Sequence, residues 1–186
     1  MNERVKKLIK PMILLGFTIF VICCLIKKPM AFEDYSAYVG YAISGVTVLF
    51  VVYEKFLWKF VPWNRPPVLE KEYEGMLSYT YKKQPGTKPI SITVKQTWLS
   101  VEITTKTDTN ASYTVTGNIA YEHGVDVLYY TYITEPLAVQ QNKNPIQYGT
   151  CRMILDNQNK TIRGKYWTSS QTVGDLEWNE ISEDRD

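Results

Sequence analysis

Two runs without a charged side chain dominate the first third of the chain, sixteen residues from Pro11 to Ile26 and nineteen from Tyr35 to Tyr53. A helix rises about 1.5 Å per residue, so these runs reach roughly 24 and 28 Å against a hydrocarbon core about 30 Å thick. Lys7, Lys10, Lys27 and Lys28 flank the shorter run and extend its reach by snorkelling their ammonium groups to the interface. Lys27 and Lys28 follow the apolar run directly, no small-x-small site precedes them, and Ile22 before Cys23 lacks the small residue of a lipoprotein site. These features argue against a cleaved signal peptide and for a pair of transmembrane helices.

Flanking charge orients the pair. Arg4, Lys6, Lys7 and Lys10 precede it and Lys55, Lys59 and Arg65 follow it, whereas the connecting loop balances Lys27 and Lys28 against Glu33 and Asp34. Positive charge stays in the cytoplasm, so the expectation is an inner-membrane hairpin with both termini cytoplasmic. Tyr53, Phe56, Trp58, Phe60 and Trp63 read as an aromatic belt at the exit of the second helix. Gly40, Ser44 and Gly45 permit close helix approach, either within the hairpin or between copies of the chain.

Beyond this region the composition changes. Residues 1–67 carry nine basic and four acidic side chains, whereas residues 68–186 carry twelve and fifteen. An acidic balance excludes a DNA or RNA backbone as the partner of the second half, because polyanion binding needs a basic face. Cys23 and Cys24 lie in the first apolar run, leaving Cys151 alone in the second half, a pattern that fits a reducing compartment. Pro62, Pro66 and Pro67 mark a break. The expected organisation is a two-helix membrane region at 1–60, a Pro-rich linker at 61–67 and a cytoplasmic β domain at 68–186.

Eight strands are expected in that domain, at 73–81, 90–97, 99–106, 111–121, 126–133, 147–156, 161–168 and 175–181. Ile90, Ile92 and Val94 alternate with Ser91, Thr93 and Lys95, and Val101 and Ile103 with Glu102 and Thr104, which is the period of a half-buried strand. Pro85-Gly86, Asp108-Thr109-Asn110, His123-Gly124, Asp156-Asn157-Gln158-Asn159 and Val173-Gly174 read as turns. Short, sequential, evenly spaced strands predict an eight-stranded antiparallel up-and-down (lipocalin-like) β-barrel, with an open sandwich as the alternative. Eight strands enclose room for side chains or one small ligand.

Catalytic chemistry is hard to assemble from these residues. His123 is the one histidine and sits beside Gly124 in an expected turn; no metal-ligand spacing, phosphate loop or nucleophile elbow is present, and Asp175 and Glu177 read as the wet side of a strand. The domain therefore reads as a binder and not an enzyme, with no cofactor or metal. Twelve tyrosines and tryptophans fall on or beside the expected strands, among them Trp98, Tyr130, Tyr132 and Tyr166. As core filling they suit β structure; with polar neighbours they also suit a flat heterocycle, stacking on its face while Gln96, Thr105, Ser112, Arg152 and Thr168 reach its edges and phosphates.

Two apolar helices followed by this β domain resemble the two-transmembrane β-barrel effectors of bacterial cyclic-oligonucleotide anti-phage signalling (CBASS). The resemblance is carried by Gln96-Thr97-Trp98-Leu99-Ser100-Val101-Glu102-Ile103 with Thr105 and Ser112, then by Leu128-Tyr129-Tyr130-Thr131-Tyr132, Tyr148-Gly149-Thr150, Gly164-Lys165-Tyr166-Trp167-Thr168 and Thr172-Val173-Gly174. It implies a barrel that binds a cyclic dinucleotide, after which the helices self-associate and disrupt the inner membrane, killing the infected cell. It implies ligand contacts at Gln96, Trp98, Thr105, Ser112, Tyr166 and Thr168, to which the aromatic and polar reading adds Tyr130, Tyr132 and Arg152. Two other classes stay open at the level of residues: an anchored barrel holding a lipid or other apolar ligand, and a membrane-proximal docking module for another protein.

Overall fold

The computed structural model describes residues 3–61, 66–138, 145–156, 158 and 160–181. Pro62, Trp63 and Arg65 of the expected linker and belt, and Asn157 and Asn159 of one expected turn, lie outside the described residues. The chain divides into two compact units, Met1–Arg65 and Pro66–Asp186.

In the first unit, α1 runs Glu3–Lys27 and α2 runs Phe32–Lys55. Their mean hydropathy is 2.4 and 1.6, and both are long and apolar enough to cross a bilayer. Pro11 lies inside α1, where its missing N–H leaves a single backbone bond unformed. The carboxylate of Asp34 starts α2 by accepting the backbone N–H groups of Met30 and Ala31 at 3.0 and 3.1 Å. Small residues set the helix–helix contact: a Cβ on Gly45 would meet Ile19 at 3.4 Å, and one on Gly16 would meet Val46 at 3.4 Å. Gly40 has no such neighbour within 4 Å.

The second unit is a closed antiparallel barrel with strands in simple sequence order, β8 returning to pair with β1. Its strands are β1 (Glu72–Tyr81), β2 (Gln84–Gln96), β3 (Val101–Lys106), β4 (Asn110–Glu122), β5 (Val125–Pro136), β6 (Gln147–Asp156), β7 (Thr161–Thr168) and β8 (Val173–Glu180). Closure leaves no open sheet edge. Period-two alternation sends Ile90, Ile92 and Val94, then Leu128, Tyr130 and Tyr132, then Cys151, Met153 and Leu155 into one core with Tyr73, Ile162, Leu176 and Trp178. In β4 the register shifts between Thr114 and Thr116. There the Thr114 hydroxyl stands in for backbone, accepting the Ile103 N–H at 2.9 Å and donating to the Ile103 carbonyl at 3.0 Å.

Three expected boundaries are corrected. Pro85-Gly86 is no turn but part of β2, and the chain reverses instead at Lys82 and Lys83, both with positive φ (47° and 67°). Val173-Gly174 is likewise strand, and the reversal lies at 169–172 with Gln171 at φ 61°. Leu99 and Ser100 belong to the β2–β3 turn, closed by the Thr97 N–H on the Ser100 carbonyl at 2.9 Å, so β3 starts at Val101 and not at 99. The two misread glycines both lie opposite inward tyrosines. Gly86 lies opposite Tyr79, and Gly174 opposite both Tyr79 and Tyr166. A Cβ at Gly86 would stand 2.5 Å from the Tyr79 ring, whereas one at Gly174 would meet the Ser78 backbone carbonyl first and then the Tyr166 ring at 2.8 Å. Gly86 is a strand position emptied so that an inward tyrosine lies across it, and Gly174 one emptied by close approach of the Ser78 backbone as well as by Tyr166.

Candidate functional site

Alternating connections put two sets of turns at opposite ends of the barrel. One end is sealed. Leu69 is buried there, its N–H donates to the Gln96 side-chain oxygen at 2.9 Å, and the Gln96 amide donates to the Pro67 carbonyl at 2.8 Å. Tyr73 and Trp178, both without exposed surface, fill the barrel above this seal, and Trp178 packs on Tyr130 at 6.0 Å between ring centroids.

The other end is open, leading into a cavity of about 400 Å³. Its lining combines apolar Leu77, Ile90, Ile103 and Leu176 with Tyr79, Tyr130, Tyr132 and Tyr166, and with Cys151, Thr105 and Ser112. Polar side chains on or near the turns of the open end complete it: Lys88, Thr107, Thr109, Asn110, Gln147, Ser170 and Thr172. Three tyrosines face a strand neighbour without a side chain, Tyr132 pairing with Gly149, Tyr130 with Gly117 and Tyr166 with Gly174, and at Gly149 the Tyr132 ring lies directly across the empty position. Volume and lining match a pocket for one small organic ligand, with flat apolar faces and a few directed polar groups.

Burial keeps the tyrosines and the thiol of this lining neutral. Desolvation pushes the Tyr130, Tyr132 and Tyr166 hydroxyls above the ordinary tyrosine range and the Cys151 thiol up to about 12. All four hold their protons at neutral pH and so serve as hydrogen-bond donors. Tyr130 has Cys151 and Thr105 as side-chain hydrogen-bond partners. Ser112 and Thr134 share a hydrogen bond of 2.9 Å across β4 and β5. Thr168 caps the β7–β8 turn, its hydroxyl oxygen accepting the Thr172 N–H at 3.2 Å. Among the described residues, no group of three His, Cys, Asp or Glu side chains comes together to hold a metal ion.

Of the nine residues singled out from sequence, Thr105, Ser112, Tyr130, Tyr132, Tyr166 and Thr168 line this cavity together. Gln96, Trp98 and Arg152 do not. Gln96 holds the sealed end and Trp98 is buried at 1% exposure beside the β2–β3 turn. Arg152 is on the outer wall, its guanidinium donating to the Tyr129 hydroxyl at 2.9 Å and pairing with Glu122 at 3.5 Å, while its neighbour Cys151 faces inward. The sequence reading missed Tyr79, Lys88, Thr107, Thr134 and Gln147. Thr134 stands two residues from Tyr132 on β5, so the period of two was the signal available for it, whereas none of the nine lies on β1 beside Tyr79 and Arg152 on β6 faces away from the side of Gln147.

The comparisons with known proteins converge on this domain. Residues 65–180 match the family model described as "Cap15, cyclic dinucleotide receptor domain". Over 181 residues the chain is 36% identical to the CD-NTase-associated protein 15 of Staphylococcus schleiferi, covering 95% of this chain and 97% of that protein.

Proposed function

The chain belongs to the Cap15 family of CBASS effectors and carries that family's cyclic dinucleotide receptor domain, and from this we propose that its barrel binds one cyclic dinucleotide in the open cavity as the trigger for membrane damage. The single observation that carries the proposal is the cavity lining. Tyr79, Tyr130, Tyr132 and Tyr166 offer flat faces to purine or pyrimidine rings, and Thr105, Ser112 and Thr168 offer hydroxyls to their edges and to the sugar–phosphate ring. Gln96, Trp98 and Arg152 act in this reading as supports of the barrel, not as ligand contacts.

The domain then works as a receptor and not as an enzyme, its tyrosines and thiol held neutral as donors. The membrane step falls to α1 and α2, inserted in the bacterial inner membrane with both termini in the cytoplasm. Ligand that binds an assembled state more tightly than the single chain shifts the population by that difference in affinity and by no more. The exposed small residues Gly40 and Ser44, one turn apart on α2, support self-association through the helices by permitting close approach of another copy. The consequence proposed is homo-oligomerisation, disruption of the inner membrane and death of the infected cell.

The test is light scattering of the full-length protein in detergent micelles with and without saturating cyclic dinucleotide. The expected outcome is a rise in mass with ligand. An unchanged mass at full occupancy refutes the assembly step. Expression of a variant without residues 1–60 is expected to be harmless to the host cell; toxicity that survives this deletion refutes the membrane step.

A further inference from the structure

One charged side chain lines the cavity among the described residues. Lys88 sits on β2 two residues nearer the open end than Ile90, among hydroxyl, amide and aromatic groups of the lining. Its ammonium does not stand free in that space. It donates to the Asp108 carboxylate at 3.1 Å and to the Thr109 hydroxyl at 3.0 Å, both on the β3–β4 turn. Asp108 itself is largely exposed, at 69%, and points its charge at the rim of the open end without lining the cavity.

A cyclic dinucleotide carries two phosphodiesters and hence two negative charges. Entering the cavity, it brings that charge past an exposed carboxylate, which repels it, and towards a lysine that the same carboxylate occupies. We propose that Lys88 is the residue that reads a ligand phosphate in this site, and that Asp108 holds it at the rim until the phosphate displaces the carboxylate. The proposal rests on the cyclic dinucleotide reading above. Exchange of one anion for another keeps the ammonium paired throughout, so the lysine is never left as an uncompensated charge. Thr109 supports the exchange because its hydroxyl holds the ammonium near the mouth whichever anion is bound. A single cation also gives the site a direction. One phosphodiester meets a charge on the β2 side, the other meets neutral donors, so the two-fold ring of the ligand is bound in an unsymmetrical setting.

A different role for the same pair is a strut that stiffens the rim. The two roles part on the sign of one substitution. If Lys88 reads phosphate, Lys88→Met weakens binding and Asp108→Asn tightens it, because the second change frees the lysine and removes a repelling charge. If the pair is a strut, both substitutions loosen the rim and both weaken binding.

The experiment is calorimetric titration of the full-length protein in detergent, using whichever of cyclic di-AMP, cyclic di-GMP, cyclic GMP–AMP and cyclic di-UMP binds the unmodified chain most tightly. Lys88→Met is expected to weaken binding roughly tenfold to a hundredfold, the range for losing a hydrogen bond to a charged group. Asp108→Asn is expected to tighten it about two- to fivefold, the range for an exposed ion pair. Lys88→Arg, which keeps the charge, is expected to recover most of the affinity, and the thermal midpoint of each variant without ligand reports whether the barrel is intact. Binding by Lys88→Met within twofold of the unmodified chain overturns the proposal, as does weakening by both variants alike. Failure of the unmodified chain to bind any of the four ligands is a separate result: it removes the cyclic dinucleotide reading itself and this inference with it.

Discussion

Gly149 and Tyr132 form a cross-strand pair whose coupling has a definite expected value. The Tyr132 ring lies across the face of Gly149, and a Cβ built on this glycine would stand 2.7 Å from the ring Cε1, with Cζ and the hydroxyl closer still. In Gly149→Ala the ring must therefore swing inward by roughly an ångström to regain ordinary contact. The far end of a side chain can make that movement where backbone cannot, so the expected cost is that of overpacking, about 1–3 kcal/mol. For a domain of this size that is a fall of roughly 4–12 °C in Tm. In a Tyr132→Ala background the obstacle is gone, and Gly149→Ala is expected to cost about 0.5 kcal/mol or less, leaving a coupling of about 1–2 kcal/mol. Gly164 supplies the contrast, since a Cβ there meets backbone, standing 2.6 Å from the Met153 Cα with the Arg152 carbonyl oxygen closer still. Gly164→Ala is expected to cost more than Gly149→Ala and to show no relief from Tyr132→Ala. The assay is scanning calorimetry of the full-length variants in detergent. Additive effects at Gly149 and Tyr132 would refute the idea that the glycines exist to lay the tyrosines against the wall.

Three further outcomes follow from the same geometry. Gln96→Ala leaves the Leu69 N–H and the Pro67 carbonyl without their side-chain partner, and is expected to lower stability by about 1–3 kcal/mol in denaturant titration while sparing a ligand held at the far end. Cys151, whose folded pKa is raised to about 12 from an ordinary value near 9.0, releases its proton in the unfolded chain first. Stability is therefore expected to be flat below about pH 9 and to fall as pH rises towards 12, the buried tyrosines adding to the fall above about pH 10. Cys151→Ala is expected to make the first part of that fall shallower, and an unchanged slope would count against the assignment. Thr105→Val and Thr168→Val keep side-chain volume and are expected to weaken cyclic dinucleotide binding several-fold each by calorimetry, with full affinity in both counting against these hydroxyls as contacts.

Much of the barrel was legible because alternation is a strong signal: Ile90, Ile92 and Val94 announce β2 without any tertiary knowledge. Reversals were harder. Lys82 and Lys83 take the β1–β2 turn at positive φ with neither glycine nor proline, while the nearby Pro85-Gly86 looks like a turn and is strand. Gly86 is explained by Tyr79 on a different strand, a cross-strand relation that linear spacing does not record. With a turn expected at Pro85-Gly86 and a strand only from 90, Lys88 lies outside the expected strands, although it belongs to β2. Within the site, Thr105 and Tyr130 were reachable because they keep the period of their strands, whereas the register shift between Thr114 and Thr116 puts inward Ser112 out of phase with the buried Ile119. Arg152 and Cys151 illustrate the opposite case: a period of two leaves both faces equally admissible, and burial at 0% exposure for Cys151 decides it. Gln96 and Trp98 read as ligand contacts through the family resemblance and their polar and aromatic chemistry, and only their place in the fold, Gln96 at the sealed end and Trp98 buried in the β2–β3 turn, separates them from the cavity.

The central claim is that the open cavity binds a cyclic dinucleotide, and the most direct measurement is calorimetric titration of the full-length protein in detergent against a panel of these ligands. The account predicts saturable binding of one ligand per chain at micromolar affinity or tighter, about −8 kcal/mol or beyond, lost when Tyr132 or Tyr166 is replaced by alanine. A folded protein, shown by its thermal transition, that takes up no member of the panel would contradict the account.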